Sequence, residues 1–412
     1  MTTRRLPRWH EVKPLLGTEN PFANRRAHAL ARAANIWDLR ALAKRRTPAA
    51  VFDYTDGAAG DELALTRARE VFGRLEFEPR VLRDVSNLDT STEILGAVSA
   101  LPIVLAPTGF TRMMHHAGEP AVAAVAAGIG IPYCLSTLGT TSIEDLASAA
   151  PSARRWFQIY LMRDRSLRTG LLERAAVAGY DTLMLTVDAP VAGIRNRDIR
   201  NGLTVPPKLS LSTLANMSRY PSWWFNVLTT EPLEFATFRS SEGTVADLMN
   251  KVFDPSLTPA DVTWARETWP GKLVVKGVQS VADAILLADL GVDGIVLSNH
   301  GGRQLDRAPV PLEQLPQVKA AVGGHVAVFI DGGVLTGGDV VAAVALGADA
   351  VLIGRAYLYG LMAGGQAGVQ RAIDILQQEI RTTMALLGAR SISELDPGSV
   401  RILSSNQGAA LA

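Results

Sequence analysis

The chain has 412 residues, 48% of them hydrophobic and 20% charged, with a formal net charge of +1. That balance can fill a sizeable core and leaves no basic stripe, so no nucleic-acid partner is expected. Cys134 is the sole cysteine, which excludes an internal disulfide and a cysteine-based zinc site; in the apolar run 131–135 it reads as a buried structural thiol.

Residues 1–16 are basic but lack the apolar stretch of a signal peptide. No uninterrupted apolar span reaches the about 18 residues of a membrane helix, so the expected setting is reducing and cytoplasmic. Residues 1–100 hold one helical stretch, 36–54, followed by a poorly patterned segment, and are expected to form a helical extension and lid. Short apolar runs then follow at 101–106, 131–136 and 156–161, and again at 273–276 and 326–331. Three more share one pattern: Gly179-Tyr-Asp-Thr-Leu-Met-Leu-Thr186, Gly291-Val-Asp-Gly-Ile-Val-Leu-Ser298 and Gly347-Ala-Asp-Ala-Val-Leu-Ile-Gly354. Each places Gly where a preceding helix would stop, Asp in the turn, and then an unalternating apolar strand suited to burial on both faces of a parallel sheet. The second and third copies start 56 residues apart, two β-plus-helix units, whereas the first and second start 112 apart.

Eight strands separated by helical patterns predict an α/β fold, a (β/α)8 TIM barrel over 101–390. The surplus sequence becomes one long insertion, 203–265, after strand four, and 391–412 a C-terminal tail. An open doubly wound sheet would want a Gly-x-Gly-x-x-Gly turn after its first strand, where Pro107-Thr-Gly-Phe110 stands instead.

Ligands of such a barrel bind at the carboxyl ends of its strands. Those ends read Pro107-Thr108-Gly109, Ser136, Gln158 with Tyr160, Thr186 with Asp188, Lys276, Ser298 with His300, Asp331-Gly332-Gly333 and Gly354-Arg355, nearly all polar or glycine after apolar strands. Gly332, Gly333, Gly354 and Arg355 have the form of a phosphate site. Lys276 is either a Schiff-base nucleophile or a fixed cation, and a bound flavin would favour the latter. The run 298–306 reads Ser-Asn-His-Gly-Gly-Arg-Gln-Leu-Asp and sets a titratable imidazole beside a cation where a strand opens onto solvent. That layout suits taking a proton from an anion held by Arg303, with Asp188 to fix the imidazole tautomer and Arg195 as a second guanidinium. His10, His28, His115, His116 and His325 read as solvated or structural, and no metal is expected.

The run 298–306, with 186–195 and 274–277, resembles the signature of the FMN-dependent 2-hydroxy acid oxidases and dehydrogenases, and the likeness extends from about Ile36 to Leu395. It implies His300 as general base, Asp188 as its partner, Arg303 as the substrate-carboxylate arginine, and Tyr54, Tyr160 and Arg195 as further substrate ligands. It implies FMN contacts at Pro107, Thr108, Gly109, Ser136, Gln158, Thr186, Lys276, Ser298, Asp331, Gly332, Gly333, Val334, Leu335, Gly354 and Arg355. The activity implied is oxidation of an L-2-hydroxy acid, L-lactate foremost, with a quinone or cytochrome as acceptor and a homotetramer as the assembly. An oxygen-using oxidase is the near alternative; an FMN-dependent isomerase acting on a phosphorylated substrate, and a non-catalytic phosphate-binding barrel, are the distant ones.

This chain departs from the family pattern in three places. Leu335 stands where many relatives carry Arg, which removes a phosphate charge. Leu138 replaces the Trp of plant-type oxidases, and Gly109 the Ala common in oxygen-using members. Within the insertion, Trp223-Trp224-Phe225 either pack onto the barrel or a neighbouring subunit, or mark peripheral membrane contact.

Overall fold

The computed structural model describes residues 8–12, 25–162, 164–201, 215, 218–236 and 253–404. Its centre is a closed barrel of eight parallel strands: β1 (Ile103–Leu105), β2 (Tyr133–Ser136), β3 (Arg155–Ile159), β4 (Thr182–Thr186), β5 (Lys272–Val278), β6 (Gly294–Leu297), β7 (Ala327–Ile330) and β8 (Ala350–Ile353). Each strand pairs with the next, and β8 closes on β1 through Val351 opposite Ile103. The three sequence copies are β4, β6 and β8, so the (β/α)8 expectation holds.

Two cores explain why the strands are apolar through their middles. Residues facing outwards pack under the surrounding helices, whereas Val104, Cys134, Trp156, Met184, Val274, Val296, Phe329 and Leu352 fill the barrel interior. Trp156 meets Phe329 edge-on at 6.0 Å. Ile94, from the hairpin of Thr92–Ile94 and Ala97–Ser99, joins this plug. Cys134 is fully buried in it, and burial raises its thiol well above the ordinary range.

The stretch 36–54 is two helices, Ile36–Arg46 and Ala49–Asp56, because Thr47 precedes Pro48 and is held extended. The poorly patterned segment contains a further helix, Leu63–Gly73, which buries Ala64, Ala68, Val71 and Phe72. These residues lie at helical spacing, but two alanines on the face weaken the apolar signal. At the other end of the chain, Val400–Ile402 pairs antiparallel with Leu75–Phe77.

In the connection after β4, the helix Pro221–Thr229 turns Trp223 and Trp224 inward. Trp223 Nε1 donates to the Met113 carbonyl at 3.0 Å, so these two rings serve packing, while Phe225 and Leu228 are 67% and 61% exposed. The helix Pro259–Thr268, capped by Thr258 and Asp261, leads back into β5. Among the described residues no helix is long and apolar enough to cross a membrane.

Candidate active site

One pleat above the interior plug, the inward-facing residue of each strand changes character. Two positions beyond the plug residues stand Ala106, Ser136, Gln158, Thr186, Lys276, Ser298, Asp331 and Gly354. All of these except Ser298 line one cavity of about 460 Å³ at the carboxyl end of the barrel. That volume is within the usual range for a small-molecule or cofactor site.

This layer is internally wired. Ser136 Oγ donates to Gln158 Oε1 at 3.0 Å, and Gln158 Nε2 donates to Thr186 Oγ1 at 3.0 Å. Across the mouth, Lys276 Nζ donates to Ser298 Oγ and pairs with Asp331 Oδ2, both at 2.9 Å. Burial lowers the Lys276 pKa, but Asp331 and Asp188 outweigh it and leave the amine above its ordinary value. A Schiff-base lysine needs the reverse, so Lys276 is a fixed cation. Ser298, expected as a cofactor contact, instead lies fully buried behind this layer, where its Oγ also accepts the His300 N–H at 2.9 Å.

His300 adopts φ +60, in the left-handed region, and is followed by Gly301 and Gly302 with φ +63 and +77. Asn299 Oδ1 accepts the Gly302 N–H at 2.9 Å and holds the turn. The imidazole thereby points its Nδ1 at Asp188, 3.0 and 3.2 Å from the two carboxylate oxygens. Burial raises the Asp188 pKa, but His300 and Lys276 more than reverse this and keep it ionised. With Nδ1–H donating to the ionised carboxylate, the ring has Nε2 as its basic atom.

Four substrate-type groups, Arg303, Tyr54, Arg195 and Tyr160, line the same cavity as His300. Arg303 Nη1 donates to the Tyr54 carbonyl at 2.5 Å and the Gly57 carbonyl at 3.2 Å. Burial, reinforced by Arg195, pulls the Arg303 pKa down to about 10. The Tyr54 ring lies 4.8 Å from the Arg303 guanidinium and 5.2 Å from that of Arg195. Arg195 Nε pairs with Asp198 at 3.2 Å. Tyr160 packs edge-on to Phe253 at 5.4 Å, and burial raises its phenol above the ordinary range.

Pro107, Thr108 and Gly109 form part of the wall, and Gly332, Gly333, Val334, Leu335, Gly354 and Arg355 form the far end. Gly332 and Gly333 both adopt φ +87, a backbone conformation open to glycine, which leaves no side chain between the backbone and a ligand at this end. Arg355 gives Nε to the Thr55 carbonyl, Nη1 to Gly301 and Nη2 to Gly57, at 3.0, 2.9 and 2.7 Å. The last carbonyls of the helix Ala49–Asp56 and its cap are thus gripped by Arg303 and Arg355, which holds Tyr54 over the mouth.

A flavin mononucleotide fits these groups. Asp331 Oδ1 is buried with no hydrogen-bond partner among the described residues, an acceptor suited to a ribityl hydroxyl. The charged Lys276 with the Ser136–Gln158–Thr186 edge, the Asp331 oxygen and the glycine-lined end match a ring, a polyol and a phosphate in that order.

The structure also brings in residues that the sequence reading missed. Thr66 and Arg69 reach the cavity from the helix Leu63–Gly73, and Phe253 from the end of the insertion. Gln304 clips the loops after β4 and β6 together, bonding the Asp188 and Val191 carbonyls and the Gly193 N–H. Its place inside the 298–306 run was the available signal. Asp188 does not itself line the cavity; it stands behind His300, as a partner carboxylate must.

Comparison with known proteins gives the same picture. The family model described as FMN-dependent dehydrogenase matches residues 43–402. A Mycobacterium tuberculosis (strain H37Rv) protein, named provisionally as an L-lactate dehydrogenase, is 54% identical over 397 residues, 96% of each chain. An L-lactate oxidase of Nostoc sp. (strain PCC 7120) is 41% identical over 372 residues, 89% of this chain and 98% of its own. Among solved structures, the monotopic membrane protein (S)-mandelate dehydrogenase matches with a TM-score of 0.87 and 38% identity, over 90% of this chain and 100% of its own. Since the family match spans N-terminal helices, barrel and the paired C-terminal strand alike, the chain belongs to the FMN-dependent dehydrogenases, and its cofactor is FMN.

Proposed function

We propose that this enzyme oxidises L-2-hydroxy acids, L-lactate to pyruvate foremost, with a quinone or a cytochrome as electron acceptor. The observation that carries the reading is the His300–Asp188 contact of 3.0 Å beside the desolvated Arg303. An imidazole with its Nδ1 tied down and a buried cation next to it suits a small anion that must lose a proton.

In this reading Arg303 and Arg195 hold the substrate carboxylate, and Tyr54 and Tyr160 orient it and the hydroxyl. His300 Nε2 takes the substrate proton, and Asp188 stabilises the resulting imidazolium without itself accepting the proton. Bound FMN supplies the two-electron acceptor. Ser136, Gln158, Thr186 and Lys276 would hold the flavin ring, and the Lys276 charge would favour negative charge on it. Gly332, Gly333, Gly354 and Arg355 would hold its phosphate.

The working assembly is a homotetramer in the cytoplasm, attached loosely to the inner face of the cell membrane through the insertion. Phe225 and Leu228, exposed on the helix Pro221–Thr229, support that attachment, and the similar mandelate dehydrogenase is named as a monotopic membrane protein.

Anaerobic mixing of the purified enzyme with L-lactate, D-lactate, glycolate and L-mandelate tests the substrate class. Loss of the oxidised flavin's visible absorbance with L-lactate, and not with its D isomer, is expected. No bleaching by any of the four would defeat the reading. Peroxide formed in amounts equal to pyruvate in air, with no quinone reduction, would make the enzyme an oxidase.

A further inference from the structure

A phosphate monoester carries about −1.5 to −2 charge at neutral pH, so a single guanidinium leaves it undercompensated. At the anion end of the cavity Leu335 contributes no charge, and Arg355 already serves three carbonyls. A second guanidinium beside Gly333 comes from outside the barrel. Arg69, on the helix Leu63–Gly73, lines the cavity and reaches across to the loop after β7. Its Nη1 donates to the Gly333 carbonyl and, at 2.6 Å, to Asp339 Oδ2. Asp339 is in turn committed, accepting the Leu335 and Thr336 amides at 2.8 and 2.9 Å at the start of the helix Gly337–Ala345. Nε and Nη2 of Arg69 make no hydrogen bond among the described residues.

The helix sits on this loop at van der Waals distance. A side chain at Gly333 would come within 3.1 Å of Ala68 Cβ and of the Phe72 ring, and one at Gly302 within 2.9 Å of the Leu65 nitrogen. Arg69 stacks against Phe72 at 5.4 Å, which fixes the direction of its stem.

We propose that Arg69 is the second cation of the flavin phosphate, supplied by the N-terminal extension, and that bound FMN thereby fastens the helix Leu63–Gly73 to the barrel. The inference rests on the phosphate placement adopted above. A charge-assisted hydrogen bond to phosphate sets the expected size of the effect, about tenfold to a hundredfold in affinity.

The test compares FMN with riboflavin, which has the same ring and polyol but no phosphate. Flavin is removed from the full-length enzyme and each compound is titrated back by fluorescence quenching, in the wild type and in Arg69→Met and Arg69→Lys. The expected result is FMN binding weakened by about tenfold or more in Arg69→Met and less in Arg69→Lys, with riboflavin binding within about twofold of wild type. Proteolysis within 63–73 should be suppressed by FMN in the wild type and not by riboflavin. Equal weakening of both flavins in both variants would make Arg69 a purely structural link to Asp339 and overturn the proposal. So would unchanged FMN binding. A wild type that does not discriminate FMN from riboflavin would instead overturn the phosphate placement itself. If Arg69→Met does not fold, the Arg69→Lys titration and the wild-type proteolysis decide.

Discussion

Gly277 makes the space that Asp188 occupies. A Cβ at Gly277 would fall 2.6 Å from both Cβ and Cγ of Asp188, and its φ of +105 already excludes an ordinary side chain. The residue sits where the register between β5 and β6 slips, just after Lys276. One irregularity in one strand therefore sets both the cation in the mouth and the seat of the carboxylate behind His300. Gly277→Ala is expected to push Asp188 off Nδ1 and lower turnover about a hundredfold. Steady-state kinetics on protein of unchanged flavin content would check this, and near-normal turnover would show that the carboxylate has slack.

His300→Gln removes the base but keeps a side chain of similar reach. Turnover should fall at least about a hundredfold, the low end for a general base, in protein that remains folded and yellow. Stopped-flow flavin reduction measures the step directly. Retained turnover would remove the imidazole from the chemistry.

Arg303 sets a pH limit on substrate binding. Its pKa is drawn down to about 10 by burial and by Arg195, so the free enzyme loses this charge as pH rises through that value. A bound carboxylate favours the charged form, and the proton must be regained on binding. KM for the hydroxy acid should therefore be flat below that point and rise about tenfold for each further pH unit. A KM that stays level to about pH 11 would contradict the desolvation assigned to this group.

Asp56 ties the segments of Arg40, Arg197 and Tyr359 together. It accepts from Arg40 at 2.5 and 2.8 Å, from Arg197 at 3.0 Å and from the Tyr359 hydroxyl at 2.8 Å. Burial raises its pKa, but these donors reverse the shift and hold it below the ordinary value. Its contribution to stability is thus full above the ordinary Asp range and is lost as pH falls through the lowered folded value. Asp56→Asn should cost about 3 kcal/mol at neutral pH, read from denaturant unfolding of the holoenzyme. The variant should also lose less stability than wild type on acidification below about pH 4.

Phe225 and Leu228 offer a test of attachment away from the active site. Replacing both with Ser should move activity from the membrane pellet to the supernatant at low salt without changing turnover. Wild-type enzyme that is already fully in the supernatant would dispose of the attachment.

The local sequence determined the barrel and most of its mouth. A strand buried on both faces must be apolar along its length, so the point at which Val296 gives way to Ser298, or Phe329 to Asp331, marks the end of the core even in one dimension. The same change from apolar to polar marked Gln158, Thr186 and Lys276 as strand ends, and the pleat places each two positions past a plug residue, facing the same interior.

Tertiary structure alone decided which of those groups meet the ligand space and what charge they carry. Ser298 has the same strand position as Lys276, yet the lysine amine and the His300 amide cover it. Arg69 and the grip of Arg303 and Arg355 on the helix Ala49–Asp56 join residues more than two hundred positions apart, and no local pattern encodes such pairs. Whether Lys276 is a nucleophile or a fixed charge depended in the same way on Asp331 and Asp188 standing close in space. Periodicity records which face a residue presents; desolvation and charge pairing depend on what the folded chain sets against that face.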